Sequence, residues 1–472
     1  MPSLYSEILL GSALIILLVS GSVLVYTSKY NHPVYCFQSF TVIILVWYLL
    51  LCRYDLPYNI DFNFYNDGLA NGAKTLIGLT LIGCILVGKT SKIKSYEYYV
   101  LVLLGFLGLS LITSSYDLVS VYLCLELQTL SFYILTSFQT SSSFSTEAGL
   151  KYFLLGAISS ALLVFGISFV YGFTGTTNIY DLKILNIQNI EDSYDNLSLI
   201  INIGLLLFFL GLLFKVGCVP FHYWLPDVYE GAPSYVSTTF AVVPKLAIFV
   251  VIARVYNATE AYIHNYVFFT LGIISLVLGS ILALYQKKLK RLLAFSGISH
   301  VGYILFATSC NTLDGYTSII LYIIVYIITS LFLWGILCNL HTFHGRTSYF
   351  SDLVHINKSN PLLSFTLCNV IFSLAGIPPY GGFFAKFLVF TSLCDLGIFA
   401  GIVISLLASA IGAVYYLRLV KLLHFENSDN YRPLVFNKLQ SFVLGLCAVF
   451  LTFFILFGNL IYKLSYLMSL SF

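Results

Sequence analysis

Four charged residues stand where the sequence offers no water. The nearest charges to Glu126 are Asp117 and Glu147, and those to Lys215 are Asp195 and Asp227. Lys245 lies between Glu230 and Arg254, and Lys386 between Lys358 and Asp395. A charge at the centre of a membrane helix costs about 2.5–3.5 kcal/mol on insertion scales. Lysines near a helix end escape this by reaching back to the interface. Lys245 has apolar arms of similar length on both sides and reaches neither face easily. A lysine stripped of water exchanges its proton near neutral pH, and a nearby carboxylate favours its charged form. A movable Glu–Lys contact is therefore a switchable proton site. The alternative is a static ion pair or hydrogen bond that pins helices together. Four such residues in one chain, two of them beside helix breaks, favour the proton path.

The breaks are marked by proline. Pro220 follows Lys215 by five residues, and Pro378 and Pro379 precede Lys386 in SLAGIPPYGGFFAKF, among Gly376, Gly381 and Gly382. Proline removes a backbone donor and clashes with the preceding turn. Non-helical backbone at membrane depth is tolerated only where protein or a water-filled cavity satisfies it. Transporters place ion sites at such discontinuous helices, in two related halves. VGCVP at 216–220 and LAGIP at 374–378 align weakly and point to two structural repeats.

Two histidines accompany the breaks. His222 lies in PFHYW and His300 in SGISHVGY, and each suits either a proton relay or a hydrogen-bonded place at a helix break. Glu147 and Lys151 have i,i+4 spacing, which suits a stabilising pair and makes Lys151 a secondary relay candidate. His341, His344 and His355 share a loop and offer little case for a metal.

The elements that position these residues are helices. The 472-residue chain is 59% hydrophobic and only 9% charged, against about 25% charged in soluble domains. Runs of roughly 20 apolar residues, enough to cross a bilayer, recur along its length. Fourteen spans are expected, near 7–27, 35–52, 70–88, 97–114, 118–138, 151–172, 198–224, 235–253, 265–285, 292–310, 316–340, 361–393, 397–417 and 440–462. The seventh and twelfth are long and contain prolines, so they are expected to be discontinuous. Segments 176–197 and 425–439 read as polar loops. The fold class is thus an all-α polytopic membrane protein with no separate soluble domain.

Charge supports this topology. Fifteen Lys and Arg follow odd-numbered spans, whereas five follow even-numbered spans or lie in the tail. The positive-inside bias puts both termini on the non-cytoplasmic side, the intermembrane side in a mitochondrion. The first apolar run opens with Glu7, has no basic residue before it and no small-residue cleavage site after it. That suits a bacterial protein or one made inside an organelle. Ten scattered cysteines without a CxxC pair read as small buried hydrophobes, not as disulfide or metal ligands. Basic residues sit in loops and form no nucleic-acid patch.

The stretch PFHYWLPDVYEGAP (220–233) resembles the antiporter-like membrane subunits of the respiratory NADH:quinone oxidoreductase, complex I. LELQTLSFYIL (125–135), TEAGLKYFLLGAISS (146–160), YQKKLKRLLAFSGISHVGYIL (285–305) and LAGIPPYGGFFAKF (374–387) share the resemblance. VYEGAP points to the N-type branch, subunit 2, over the L- and M-type subunits and the cation/proton antiporters. The likeness runs from about residue 95 onward, and the first three spans match mainly in hydropathy. It implies a three-helix segment over 1–95 and two inverted five-helix repeats, 96–258 (spans 4–8) and 259–424 (spans 9–13). A last helix follows in 425–472. It also implies roles: Glu126 as the fifth-span glutamate, Lys215 as the lysine before the first break, Lys245 as the central lysine of the next span. Lys386 is then the lysine after the second break and Lys151 the sixth-span lysine. L- and M-type subunits carry histidine or glutamate at some of these places, so their relay order does not transfer.

The resemblance implies a proton-translocating membrane-arm subunit whose partners are other membrane-arm subunits and lipids. The sequence has no Rossmann glycine fingerprint, flavin motif or cysteine cluster, so no cofactor is expected in this chain. FMN, iron–sulfur clusters and ubiquinone are expected on partner subunits, in the mitochondrial inner membrane. The rival readings are a multi-subunit cation/proton antiporter subunit, a plastid complex I-like subunit, and a structural subunit whose charges only lock helices.

Overall fold

The computed structural model describes residues 5–27, 33–52, 58–60, 63–88, 93, 95–191, 195–259, 262–340, 349–354, 356–426 and 436–471. His341, His344 and His355 lie outside the described residues. The chain begins with helices α1 (Tyr5–Thr27) and α2 (Pro33–Cys52) and a small antiparallel hairpin, β1 (Tyr58–Ile60) and β2 (Phe64–Asn66). Next come α3 (Gly68–Val87), α4 (Glu97–Ser114), α5 (Leu118–Thr136), α6 (Ser143–Thr174) and α7 (Ile179–Glu191). The middle holds α8 (Asp195–Val216), α9 (Trp224–Gly231), α10 (Ser234–Thr259), α11 (Tyr262–Leu284), α12 (Leu289–Ser309) and α13 (Leu313–Asn339). The last part holds α14 (Ile356–Ser359), α15 (Pro361–Ala375), α16 (Gly381–Asp395), α17 (Phe399–His424), α18 (Lys438–Thr452) and α19 (Phe454–Ser469).

Local chemistry fixes many of these ends. The Asp67 carboxylate accepts from the Ala70 amide and starts α3, and the Asp117 carboxylate accepts from Val119 and Ser120 and starts α5. Thr312 does the same for α13, and Asn437 with Gln440 forms a capping box at α18. Pro361 opens α15 at a position where its missing N–H costs nothing.

Twelve helices among the described residues are long and apolar enough to cross a membrane. A thirteenth span arises if α18 and α19, bent by 89° at Phe453, are counted together. The expected span at 440–462 is therefore not one straight helix. Phe454 explains the turn: its buried ring packs on Phe384, 5.5 Å between centroids, and against Gly381, drawing α19 back toward α16 and α13. The expected span at 361–393 is the pair α15 and α16, each of 15 residues and about 22 Å long at 1.5 Å per residue.

One expected loop is not a loop. Residues 176–197 contain α7, which buries Ile179 and Leu182 on one side and whose Tyr180 amide donates to Asn178 Oδ1. Its polar composition masks an i,i+3 apolar pair. The hairpin β1–β2 likewise has no counterpart in the expected order.

Burial is radial. α10 is wholly buried and packs against α3, α4, α8 and α13, while α12 is nearly as enclosed. α1, α2, α6 and α17 turn most of their leucines, isoleucines and phenylalanines outward. Apolar side chains on the rim and polar ones inside is the arrangement a lipid solvent demands.

Candidate functional site

α8 stops at Val216 because Gly217 takes a left-handed conformation, φ 84°. The Gly217 amide donates to Phe214 O at 3.0 Å and the Cys218 amide to Leu213 O at 3.1 Å, a Schellman termination. α15 stops in the same way: Gly376 has φ 84°, its amide donates to Ser373 O at 3.0 Å, and the Ile377 amide donates to Phe372 O at 3.1 Å. Aligning the turns on their left-handed glycines pairs Val216–Pro220 with Ala375–Pro379. The sequence alignment of VGCVP with LAGIP is therefore one residue out of register. The proline at fifth place in both motifs sets that alignment, whereas the left-handed glycines, Gly217 and Gly376, are the residues that correspond.

In the corrected register Lys215 has no lysine counterpart; Leu374 takes its place. Lys386 lies beyond its break and folds back. Its ammonium donates to Leu374 O at 3.2 Å and Ala375 O at 2.8 Å, the carbonyls that the end of α15 leaves open. At the first break a neutral group reaches the last turn instead, with Trp224 Nε1 donating to Phe214 O at 3.0 Å beside the Gly217 amide.

Lys215, 7% exposed, and Lys245, 4% exposed, line one internal cavity. Gln128 and Phe132 of α5, Tyr152 of α6 and Trp224 of α9 complete much of its wall. The space open to the centre of a water is about 20 Å³, enough for about one water. Pro244 sits directly before Lys245 inside α10 and has no N–H for the Phe240 carbonyl four residues back; both residues line the cavity. Pro244 and Gln128 are not among the site residues expected from the sequence. A proline inside the most buried helix was the available signal.

Glu126 is half-buried on α5, and Thr129 Oγ1 donates to its Oε2 at 3.3 Å. Among the described residues its Oε1 has no hydrogen-bond partner, and neither does Lys215 Nζ. Among the described residues no ion pair joins them, so the expected Glu126–Lys215 contact is open in this structure. A buried ammonium without a partner, as at Lys215, carries a desolvation cost of several kcal/mol, which a contact with Glu126 would offset.

A second cavity, about 10 Å³ by the same measure, is lined by His300, Tyr322, Tyr326, Gly382 and Lys386 among others. Lys386 is 7% exposed and places its ammonium 5.3 Å from the centroid of the Tyr303 ring. His300 is held on both ring nitrogens, Nδ1 to Tyr322 Oη at 2.7 Å and Nε2 to Tyr416 Oη at 3.3 Å. Lys245 Nζ donates to Tyr326 Oη at 2.7 Å. The structure thus brings Lys215 with Lys245, and His300 with Lys386.

The remaining candidates lie apart from these chambers. His222 is buried in the first break, stacked on Tyr223 at 4.4 Å, with Nδ1 unpartnered. Lys151 is 43% exposed and pairs with Glu147 at 2.8 Å, as its spacing suggests, and also with Asp227 at 2.9 Å. Asp227 holds Arg291 at 2.6 Å, and Glu230 holds Arg291 and Lys288. This network ties α6, α9 and the start of α12 at one end of the bundle.

Two further charged pairs went unnoticed in the sequence because Lys74 and Arg254 fell near span ends and read as loop residues. Both are buried. Lys74 pairs with Glu7 at 2.6 Å and donates to Asn66 Oδ1 at 3.2 Å. Arg254 pairs with Asp67 at 2.5 Å and donates to Thr113 O at 2.7 Å. They fasten α1, α3 and the hairpin to α4 and α10.

Residues 115–412 match the family described as NADH:quinone oxidoreductase/Mrp antiporter, TM. NADH-ubiquinone oxidoreductase chain 2 of Marchantia polymorpha is 36% identical over 492 aligned residues, which cover 99% of this chain and 98% of that relative. NADH-quinone oxidoreductase subunit N of Rhodospirillum rubrum is 37% identical over 400, covering 83% of this chain and 81% of the relative. A chain in the structure of respiratory complex I from Thermus thermophilus with bound aureothin superposes with a TM-score of 0.83 at 26% identity, covering 97% and 98%.

Proposed function

This chain belongs to the antiporter-like membrane subunits of NADH:quinone oxidoreductase, complex I, in the subunit 2 (N-type) branch, and on that premise we propose that it moves protons along Glu126, Lys215, Lys245 and Lys386. The observation that carries the proposal is the shared cavity of Lys215 and Lys245, two buried amines with no carboxylate among the described residues in ion-pair contact with either. Like charges in a low-dielectric space repel strongly, so charging one amine disfavours charging the other. Closing the open Glu126–Lys215 gap stabilises the charged form of Lys215 and drives the proton of Lys245 onward. Opening it lets Lys215 release its own proton. Lys386 receives the proton in the second chamber. Lys151, His222 and His300 are secondary: Lys151 on the charged network, His222 at the first break, His300 in the wall of the second chamber.

The two Schellman breaks, each followed by a short helix, support two related halves, spans 4–8 and 9–13. Counting α15 with α16 as one broken span, and α18 with α19 as another, gives fourteen. The chain sits in the mitochondrial inner membrane with both termini toward the intermembrane space. Flavin, iron–sulfur and quinone chemistry takes place on partner subunits, and the membrane arm delivers its energy here as a shift of the Glu126–Lys215 contact.

The test is Lys245→Ala in the assembled complex reconstituted into liposomes. Protons moved per NADH fall while the complex still assembles. A fully assembled variant with the normal ratio and normal turnover sinks the proposal. Loss of assembly on changing Glu126 or Lys215, with no separate transport defect in whatever complex forms, favours the structural role instead.

A further inference from the structure

We propose that the phenol of Tyr326 is the proton bridge between the Lys245 chamber and the Lys386 chamber. The inference rests on Lys245 and Lys386 acting as proton carriers, as proposed above. Tyr326, on α13, touches both sides. Its Oη accepts a hydrogen bond from Lys245 Nζ at 2.7 Å, and its ring lies 4.1 Å from that nitrogen, so the ammonium is held at the hydroxyl edge. The same side chain lines the second cavity with Lys386.

Gly297 of α12 leaves the junction clear. A Cβ at this position would stand 3.1 Å from Tyr326 Oη and 3.3 Å from Lys245 Nζ. Any larger residue wedges against the two atoms that must stay in contact. His300, the other relay candidate nearby, bonds Tyr322 and Tyr416 through its two nitrogens, not Lys245 or Lys386. Its ring, 5.4 Å from that of Tyr326, instead orients the chamber wall.

The receiving group is equally prepared. Lys386 gives two N–H bonds to Leu374 O and Ala375 O. A neutral amine has two N–H groups and one lone pair, so with both carbonyls served the lone pair is free to accept. The charged form keeps the same two bonds and gains a third N–H. Both protonation states therefore fit one geometry.

The second cavity is near the lower size limit for one water. In the transfer, an N–H bond of the Lys245 ammonium breaks as its proton joins Tyr326 Oη. The phenol's own O–H bond breaks as its proton passes to a water in the second cavity. That water gives a proton to the neutral Lys386 amine. Phenol and water end neutral, one positive charge has moved from Lys245 to Lys386, and no electron changes hands. Rotation of the hydroxyl resets the bridge.

The test uses the assembled complex in liposomes, reading NADH turnover and protons moved per NADH. Tyr326→Phe retains the ring and its contact with the ammonium and removes only the hydroxyl. It is expected to assemble and to lose translocation to the level of Lys245→Ala, with no further loss in the double variant. A packing role would instead add its effect to that of Lys245→Ala. Normal translocation in Tyr326→Phe beside a defective Lys245→Ala overturns the bridge and leaves the lysine path standing. Normal translocation in Lys245→Ala overturns both. If Tyr326→Phe fails to assemble, Gly297→Ala decides, since it keeps the phenol and wedges the junction: a loss supports the bridge and an unchanged ratio overturns it.

Discussion

The ammonium of Lys386 is bonded to the carbonyl of Leu374, and Leu374 occupies in the second break the place that Lys215 occupies in the first. One break carries its lysine on the last turn of the incoming helix. The other receives its lysine from the outgoing helix, folded back over the same turn. The two amines approach equivalent turns from opposite sides of a gap, which gives the related halves different local chemistry.

That relationship separates stability from transport. Lys386→Met leaves the Leu374 and Ala375 carbonyls without their side-chain donor, and each unsatisfied buried group costs about 1–3 kcal/mol. The thermal midpoint of the complex should fall together with proton translocation. Lys386→Arg keeps donors for the carbonyls but carries a group that does not release its proton. It should regain the midpoint without regaining translocation, as measured by melting and by vesicle acidification.

Gly376→Ala and Gly217→Ala share a backbone cost, about 1–2 kcal/mol for an L-residue held in the left-handed region. Their neighbours differ. The new Cβ at 376 would stand 2.9 Å from Lys386 Nζ, whereas that at 217 meets the end of Leu225. Translocation by reconstituted complexes should fall further in Gly376→Ala than in Gly217→Ala. Equal losses would contradict a working position for the Lys386 ammonium.

Two glutamates test the difference between an open and a closed pair. Glu7→Gln leaves Lys74 without its counter-charge in a fully enclosed site, a change worth about 3–5 kcal/mol. Little assembled complex should appear on native gels. Glu126→Gln breaks no ion pair, so assembly should hold while protons moved per NADH decline. The reverse ranking would show Glu126 to be a structural lock.

Asp227 is about one-third exposed and shared by Lys151 and Arg291, so water and salt screen it. Asp227→Asn should lower stability by less than about 1 kcal/mol. The shift in melting temperature should shrink as salt is raised. A salt-independent loss would mean that the network is drier than its exposure indicates.

The sequence made the spans legible because membrane depth filters composition so severely. A charge that survives there, such as Lys245 or Lys386, announces itself by isolation. Contacts between charges are not written that way. Glu126 and Lys215 looked like a pair, yet whether they touch depends on the tilt of α5 against α8. Lys74 and Arg254 were hidden for the opposite reason. Each lies a turn or two from a span end, where charge is cheap, and only packing of α1 and the hairpin over them makes them buried. α7 escaped because its few apolar residues sit in polar company. The one-residue slip between the breaks arose because two adjacent prolines, Pro378 and Pro379, offer two matches for Pro220, and only the backbone shows that the second is the counterpart.

The full enclosure of α10 has an electrical meaning. Lys245 sits in the core of a cable whose sheath is other helices, and its helix is buried among them on all sides except near its two ends. A proton on that amine can go astray only by crossing a packed layer of side chains, where vacancies the size of a water are few. Leak-tightness is therefore a property of the insulation, set by residues that never carry charge. A cavity-forming substitution in α3 or α4 can short the line without altering a single titratable group.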